Sequence, residues 1–231
     1  MKIGIVAHTS RREMAHQLAK DVEADYISVD GDWGEPIGSA LNHRRVWELL
    51  ARFTGQDEYA VVLEDDAIVV PNFRDEAEKA LKSLPRLNNS SHSRYPDVIS
   101  FYLGKGYPPH WQDETVPQAI SAAKRNNANW IVGDVLLHGV AVAIKGEFIG
   151  KMLLTTLGSP RPFDEAITQW ARRFGHPVAY TFGSLVDHND TLDSVATHPD
   201  GMQRETGRVA YEFGVPSHWN STMEFIGQYR P

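Results

Sequence analysis

Glu64-Asp65-Asp66 places three carboxylates in a row directly after an apolar run, Tyr59-Ala60-Val61-Val62-Leu63. Adjacent carboxylates repel, and holding them together costs stability unless a cation neutralises them. Hard oxygen donors suit Mg²⁺ or Mn²⁺, ions that also engage substrate phosphates. The plainer reading of the triplet is a solvated acidic turn before the next helix. A second signal is Pro162-Phe163-Asp164-Glu165. Asp164 and Glu165 fall in the first turn of a predicted helix, where the helix dipole favours the carboxylate. A carboxylate held there can act as general base toward a hydroxyl; the alternative is that both residues merely start the helix. His188, in Leu185-Val186-Asp187-His188, adds an imidazole able to ligate Mn²⁺-type metals, although one histidine after an apolar stretch is usually structural or exposed. The helix start from Gly38 to Arg45 is rich in donors, including Asn42 and His43, and suits a nucleotide phosphate as well as it suits a capped surface helix.

The elements that must position these groups follow from hydrophobic periodicity. Residues 2–7 form a short apolar run that stops at His8-Thr9-Ser10, a buried strand delivering its carboxyl end to a polar loop. Met14, Ala15, Leu18 and Val22 share one face of a helix, and residues 26–29 make a second strand ended by Asp30-Gly31-Asp32. Strand, helix, strand within thirty residues favours a parallel sheet. A helix is predicted from Ser39 to about Phe53, and the third strand (59–63) then delivers the acidic triplet to a sheet edge, where open α/β folds bind ligands. Further strands are predicted at 97–102, 130–132, 140–144 and 178–182, and helices at 73–84, 146–157 and 163–174. The last of these is introduced by Pro162 and stopped by Gly175. Residues 104–128 read as an irregular excursion with a short helix near 119–123, and the tail beyond Leu185 shows little periodicity. The expectation is one α/β, Rossmann-like domain over residues 1–231. Its core spans about 2–190, with a mostly parallel central sheet flanked by helices and an irregular C-terminal arm over about 191–231.

Composition narrows the function. The 231 residues carry a net charge of −7, which disfavours non-specific binding to nucleic acid or anionic membrane. There is no cysteine, so disulfides, thiolate nucleophiles, Cys-ligated zinc and iron–sulfur clusters are excluded. No stretch approaches the length of a transmembrane helix, and the expected location is cytoplasmic.

Taken in order, these segments resemble a glycosyltransferase of the GT-A type, within it the family-25 group of lipooligosaccharide and procollagen galactosyltransferases. That group has a Gly-Cys-x-x-Ser-His-like helix start followed by an aromatic residue, which stands here as Gly38-Ser39-Ala40-Leu41-Asn42-His43 and Trp47. Its Leu-Glu-Asp-Asp-Ala hallmark is Leu63-Glu64-Asp65-Asp66-Ala67. A Gly-rich turn into a strand matches His138-Gly139 to Ile144, a Pro-x-Asp matches Pro162-Phe163-Asp164, and a Leu-Val-x-His matches Leu185 to His188. Three departures surround the donor site: Ala7-His8-Thr9-Ser10-Arg11-Arg12 replaces the group's opening Asn-Leu and arginines, Ser39 its Cys, and Asn42 its Ser.

The resemblance implies a Mn²⁺- or Mg²⁺-dependent transfer of sugar from a nucleotide-diphosphate donor, a UDP-sugar above all, to an acceptor hydroxyl. Asp66 would bind the metal, with Glu64 or Asp65 orienting ribose or metal water, and His188 would complete the metal sphere. Ala7, His8, Arg11 and Asp30 would surround the nucleotide, and Asn42 or His43 would contact donor phosphate or sugar. Asp164, with Glu165 as the fallback, would take the acceptor proton in an inverting displacement. The acceptor is left open among a glycan, a protein and a hydroxymethylated DNA base, for which Arg44-Arg45, Lys124-Arg125 and Arg172-Arg173 would have to border one groove. A metal-dependent nucleotidyltransferase also wants clustered carboxylates, but it should carry a Gly- or Lys-rich triphosphate loop, and His8-Thr9-Ser10-Arg11 has no glycine. A non-catalytic sugar-binding module would use the six tryptophans and eight tyrosines as stacking surfaces.

Overall fold

The structure, a computed structural model, describes residues 1–32, 34–88, 93–106, 112, 114–192 and 207–227. An eight-stranded mixed sheet forms the centre. It contains β1 (Lys2–Ala7), β2 (Tyr26–Val29), β3 (Tyr59–Glu64), β7 (Val98–Ser100), β8 (Trp130–Gly133), β9 (Ala141–Lys145), β10 (Val178–Thr181) and β12 (Met223–Phe225). Two small ribbons accompany it: β4 (Ala67–Val69) with β11 (Val186–His188), and β5 (Leu87–Asn88) with β6 (Ser93–Arg94). The helices among the described residues are α1 (Arg12–Asp21), α2 (Ser39–Phe53), α3 (Phe73–Lys82), α4 (Thr115–Asn126), α5 (Gly146–Thr155) and α6 (Phe163–Phe174). None is long and apolar enough to cross a membrane.

The sheet order is β12-β8-β10-β7-β9-β3-β1-β2. Four of its seven neighbour pairs are parallel; β9 runs antiparallel to both β3 and β7, and β8 to β10. The reversal of β9 matters for the site. In the β1–β3 pair Val6 stands opposite Glu64, so the loops after both strands leave the same edge. Because β9 is antiparallel, its beginning lies at that edge too, and the Glu64 amide donates to the Val140 carbonyl at 3.0 Å.

Near-continuous apolar strands explain why the sheet is covered on both faces. Ile3, Ile5, Val61 and Leu63 pack on one face with Ala15 and Leu18 of α1 and Phe73 and Ala77 of α3. Val6, Ala60 and Val62 pack on the other with Val46, Trp47 and Leu50 of α2 and Trp170 of α6.

Two segments differ from expectation. Helix α4 is longer than the short helix expected near 119–123. Pro117 sits in its first turn, where the missing N–H is not needed, and Val116, Ala119, Ile120 and Ala123 form one buried face. Within the C-terminal arm, β12 joins the main sheet beside β8, with Met223 opposite Trp130. Three residues carry too short an alternation to reveal a strand, and the pairing comes from the sheet edge.

Candidate active site

Ala7, His8, Arg11, Asp30, Asn42, His43, Glu64, Asp65, Asp66, Asp164, Glu165 and His188 all line one cavity of about 660 Å³ at this sheet edge. The volume lies within the range of small-molecule sites.

At one end the acidic turn is met by a resident cation. The chain leaves β3 after Glu64 and turns at residues 65–66. Arg11 Nη1 donates to Asp65 Oδ1 at 3.0 Å and to Asp66 Oδ2 at 2.7 Å, and the His8 amide donates to Asp65 Oδ2 at 2.6 Å. Burial pushes the Asp65 carboxyl up from its ordinary value, against the pull of the His8 amide and Arg11. Burial opposes ionisation of Asp66 as well, but there the His188 hydrogen bond and the Arg11 guanidinium prevail and hold the carboxyl below the ordinary range. His188 reaches this position because β11 pairs antiparallel with β4, setting His188 opposite Ala67. Its Nε2 is 3.4 Å from Asp66 Oδ2 and its Nδ1 is 3.7 Å from Asp190 Oδ1.

The other end is built by α2, β9 and α6. His43 Nε2 lies 3.1 Å from Glu64 Oε1, and the His43 ring stacks on Phe163 with centroids 5.4 Å apart. Asp164 opens α6, and its Oδ1 accepts from the Glu165 amide at 2.8 Å. Burial, reinforced by the charge of Glu64, pushes the Asp164 carboxyl up to about 6. Glu165 is more exposed and pairs with Arg161 at 3.4 Å.

Two expected donor contacts have their polar atoms engaged in the fold. Asp30 accepts from the amides of Ile37 (2.8 Å) and Gly38 (2.9 Å), pinning the start of α2. Gly38 takes a φ of 84° there, a conformation that favours glycine. Asn42 donates to the carbonyls of Ala7 and Ser28 and accepts from the Ser28 hydroxyl at 2.6 Å. Both residues therefore hold cavity walls in place.

The expected metal set is divided between the two ends of the cavity. Glu64 turns toward His43, whereas Asp66 and His188 face the Arg11 end, because strand alternation stops at the turn. Among the described residues, no group of three His, Cys, Asp or Glu is arranged to hold a metal ion by itself. Asp66 Oδ1, however, is a buried carboxylate oxygen with no hydrogen-bond partner among those residues. Mg²⁺-type ions need only one or two carboxylates when substrate phosphates supply further ligands. Asp66 is thus the residue that would hold a divalent cation here, with the remaining ligands coming from outside the described side chains.

The sequence reading missed Arg208, which lines the cavity from the C-terminal segment, and left His138 and Gly139 without a role. His138 is buried, which pushes its imidazole down to about 4. A Cβ on Gly139 would lie 3.0 Å from Glu64 Oε1 and 3.6 Å from Asp164 Cβ. Gly139→Ala is therefore expected to push Glu64 off His43. The His43–Glu64 contact should be lost, while the melting temperature stays within about 2 °C, as for a substitution relieved by one flexible side chain. A shifted His43 imidazole resonance beside an unshifted thermal melt checks this. The basic pairs do not border the cavity as a group: Arg44, Lys124 and Arg172 pair with Glu48 (2.7 Å), Glu212 (3.1 Å) and Asp134 (3.0 Å), and none is among the lining residues.

No family model and no curated protein matches the sequence. Among solved structures, the chain is similar to A197 from STIV, at 14% identity over 94% of this chain and 99% of that one, with a TM-score of 0.45.

Proposed function

We propose that this protein is a divalent-cation-dependent glycosyltransferase that moves a sugar from a nucleoside-diphosphate sugar, expected to be a UDP-sugar, to an acceptor hydroxyl with inversion. One observation carries this reading: a single cavity has two carboxylates of opposite character in its walls. Asp66 is held ionised beside Arg11 and His188, and Asp164 is held with a proton affinity near neutrality. The first suits the charge of a departing diphosphate, and the second suits a general base working near pH 7.

Asp164 accepts the proton of the acceptor hydroxyl as the acceptor oxygen attacks the anomeric carbon. The bond to the diphosphate breaks on the opposite face of the sugar. Glu64 raises the basicity of Asp164 by its charge and is itself steadied by His43. Asp66 would hold the cation, with His188 and Arg11 fixing its carboxylate. Bound there, Mn²⁺ or Mg²⁺ supplies Lewis-acid stabilisation of the leaving diphosphate. Asp164 suits the base role better than Glu165, whose carboxylate pairs with Arg161 near solvent.

Incubation with Mn²⁺ and a panel of nucleoside-diphosphate sugars, with and without glycan, protein and hydroxymethylated-DNA acceptors, tests this reading. Release of nucleoside diphosphate and an inverted product anomer are expected. Inert binding of every donor would reject transfer, and a retained anomer would remove Asp164 as base.

A further inference from the structure

Of the seven buried side-chain polar atoms without a hydrogen-bond partner among the described residues, four belong to residues that line the cavity. They are Asp66 Oδ1, His138 Nε2, His188 Nδ1 and Arg208 Nε. Unpaired buried polar atoms are costly and rare; these four have almost no accessible surface and sit in the residues that build the cavity wall, which marks that wall as polar and closely packed.

Arg208 is delivered there by a built strap. Residues 207–211 run along 103–105: Lys105 donates its amide to Val209 at 2.9 Å, Tyr211 donates to Leu103 at 2.9 Å, and Gly104 bridges Ala210. Two carboxylates anchor the strap by its backbone. Asp187 accepts from the Ala210 amide at 2.6 Å, and Asp190 accepts from the Gly207 amide. The Tyr102 hydroxyl donates to the Arg208 carbonyl. Among the described residues, the carboxylate paired with the Arg208 side chain is Asp190, whose Oδ1 lies 3.6 Å from Nε, an ion pair outside hydrogen-bond range. The guanidinium is thus positioned by its backbone and left with donor capacity at the cavity wall.

We infer that Arg208 is a phosphate-binding residue, a fixed cation at the cavity wall that grips the diphosphate of the donor. This rests on the transferase reading for its substrate, but the chemistry it names is recognition of a pyrophosphate group. A planar guanidinium fork matches phosphate oxygens in pairs, and the strap gives it a fixed origin.

Calorimetric titration of the full chain with inorganic pyrophosphate, in metal-free buffer, tests the inference. Arg208→Gln is expected to weaken binding by about tenfold to a hundredfold, the loss typical of a charge-assisted pair. Arg208→Lys, which keeps the charge without the fork, should fall between and covers the case in which the glutamine variant does not fold. Equal loss of pyrophosphate binding in Arg208→Lys and Arg208→Gln, with both variants melting well below wild type, would mark a merely structural role for Arg208 and overturns the inference. So would affinity of Arg208→Gln within twofold of wild type, or wild-type protein that does not bind pyrophosphate. Failure of every sugar donor with pyrophosphate binding intact and Arg208-dependent would instead remove the transferase reading and leave this one standing.

Discussion

Asp164→Asn is expected to lower sugar transfer by about a hundred- to ten-thousandfold, the usual contribution of a positioned base, and at neutral pH to make the protein more stable. The two effects share one cause. Burial and the neighbouring Glu64 raise the Asp164 carboxyl to about 6, above the 3.8 it takes in the unfolded chain. Between those values the folded state binds more protons than the unfolded state, so stability falls as pH rises through that window. Above it, the ionised carboxylate is carried at a cost of about 1–2 kcal/mol after allowance for solvent reaching the cavity. Asparagine removes that cost and can still accept from the Glu165 amide. The melting temperature should therefore rise by about 3–6 °C at pH 7.5 and be nearly unchanged at pH 4. Wild-type turnover should follow the ionised form, falling as pH drops through about 6. Full activity in the asparagine variant, or a wild-type rate flat from pH 5 to 8, would remove Asp164 as the base.

Arg11→Met tests the opposite end of the cavity. The guanidinium bridges Asp65 and Asp66, and all three side chains are at least 87% buried. Methionine keeps the aliphatic packing and leaves two adjacent carboxylates without their cation. Removing one partner of a buried ion pair costs about 3–5 kcal/mol. The loss should be greatest at neutral pH, where both carboxylates are ionised, and shrink as pH falls and Asp65, then Asp66, takes up a proton. Added Mn²⁺ should raise the melting temperature of the variant more than that of wild type, since the freed oxygens then compete for an external cation. Destabilisation below about 1 kcal/mol at pH 7 in a denaturant titration would show that Arg11 does not neutralise this pair.

Much of this site was legible in the sequence because each part announces itself locally. An apolar strand that ends in acids must bring those acids to a sheet edge, and β1 and β3 deliver His8, Arg11, Asp65 and Asp66 to the same edge. Pro162 and Gly175 bracket α6 as expected and place Asp164 in its first turn. What was not legible depends on pairing across long separations. The resemblance set His188 beside Asp66, but the three-residue ribbon between β4 and β11 that brings it there is too short to show periodicity. The antiparallel course of β9, which brings Gly139 beside Glu64, has no signature in an apolar run that reads alike in either direction. Arg208 lies in a stretch without alternation and is positioned by Asp187 and Asp190 gripping backbone amides. Asp30 and Asn42 illustrate the converse: the resemblance implied ligand contact for both, and the fold uses their polar atoms to hold the start of α2.

The central claim is that a divalent cation at Asp66 stabilises the departing diphosphate, and chelation tests it most directly. Sugar release from the best donor should be timed on protein stripped of divalent ions, and again after Mn²⁺ is restored. Release should fall by about a hundredfold or more on stripping, as expected when several kcal/mol of leaving-group stabilisation is lost. Mn²⁺ should restore it in wild type and fail to do so in Asp66→Asn. Transfer at an undiminished rate by the stripped protein would contradict the claim.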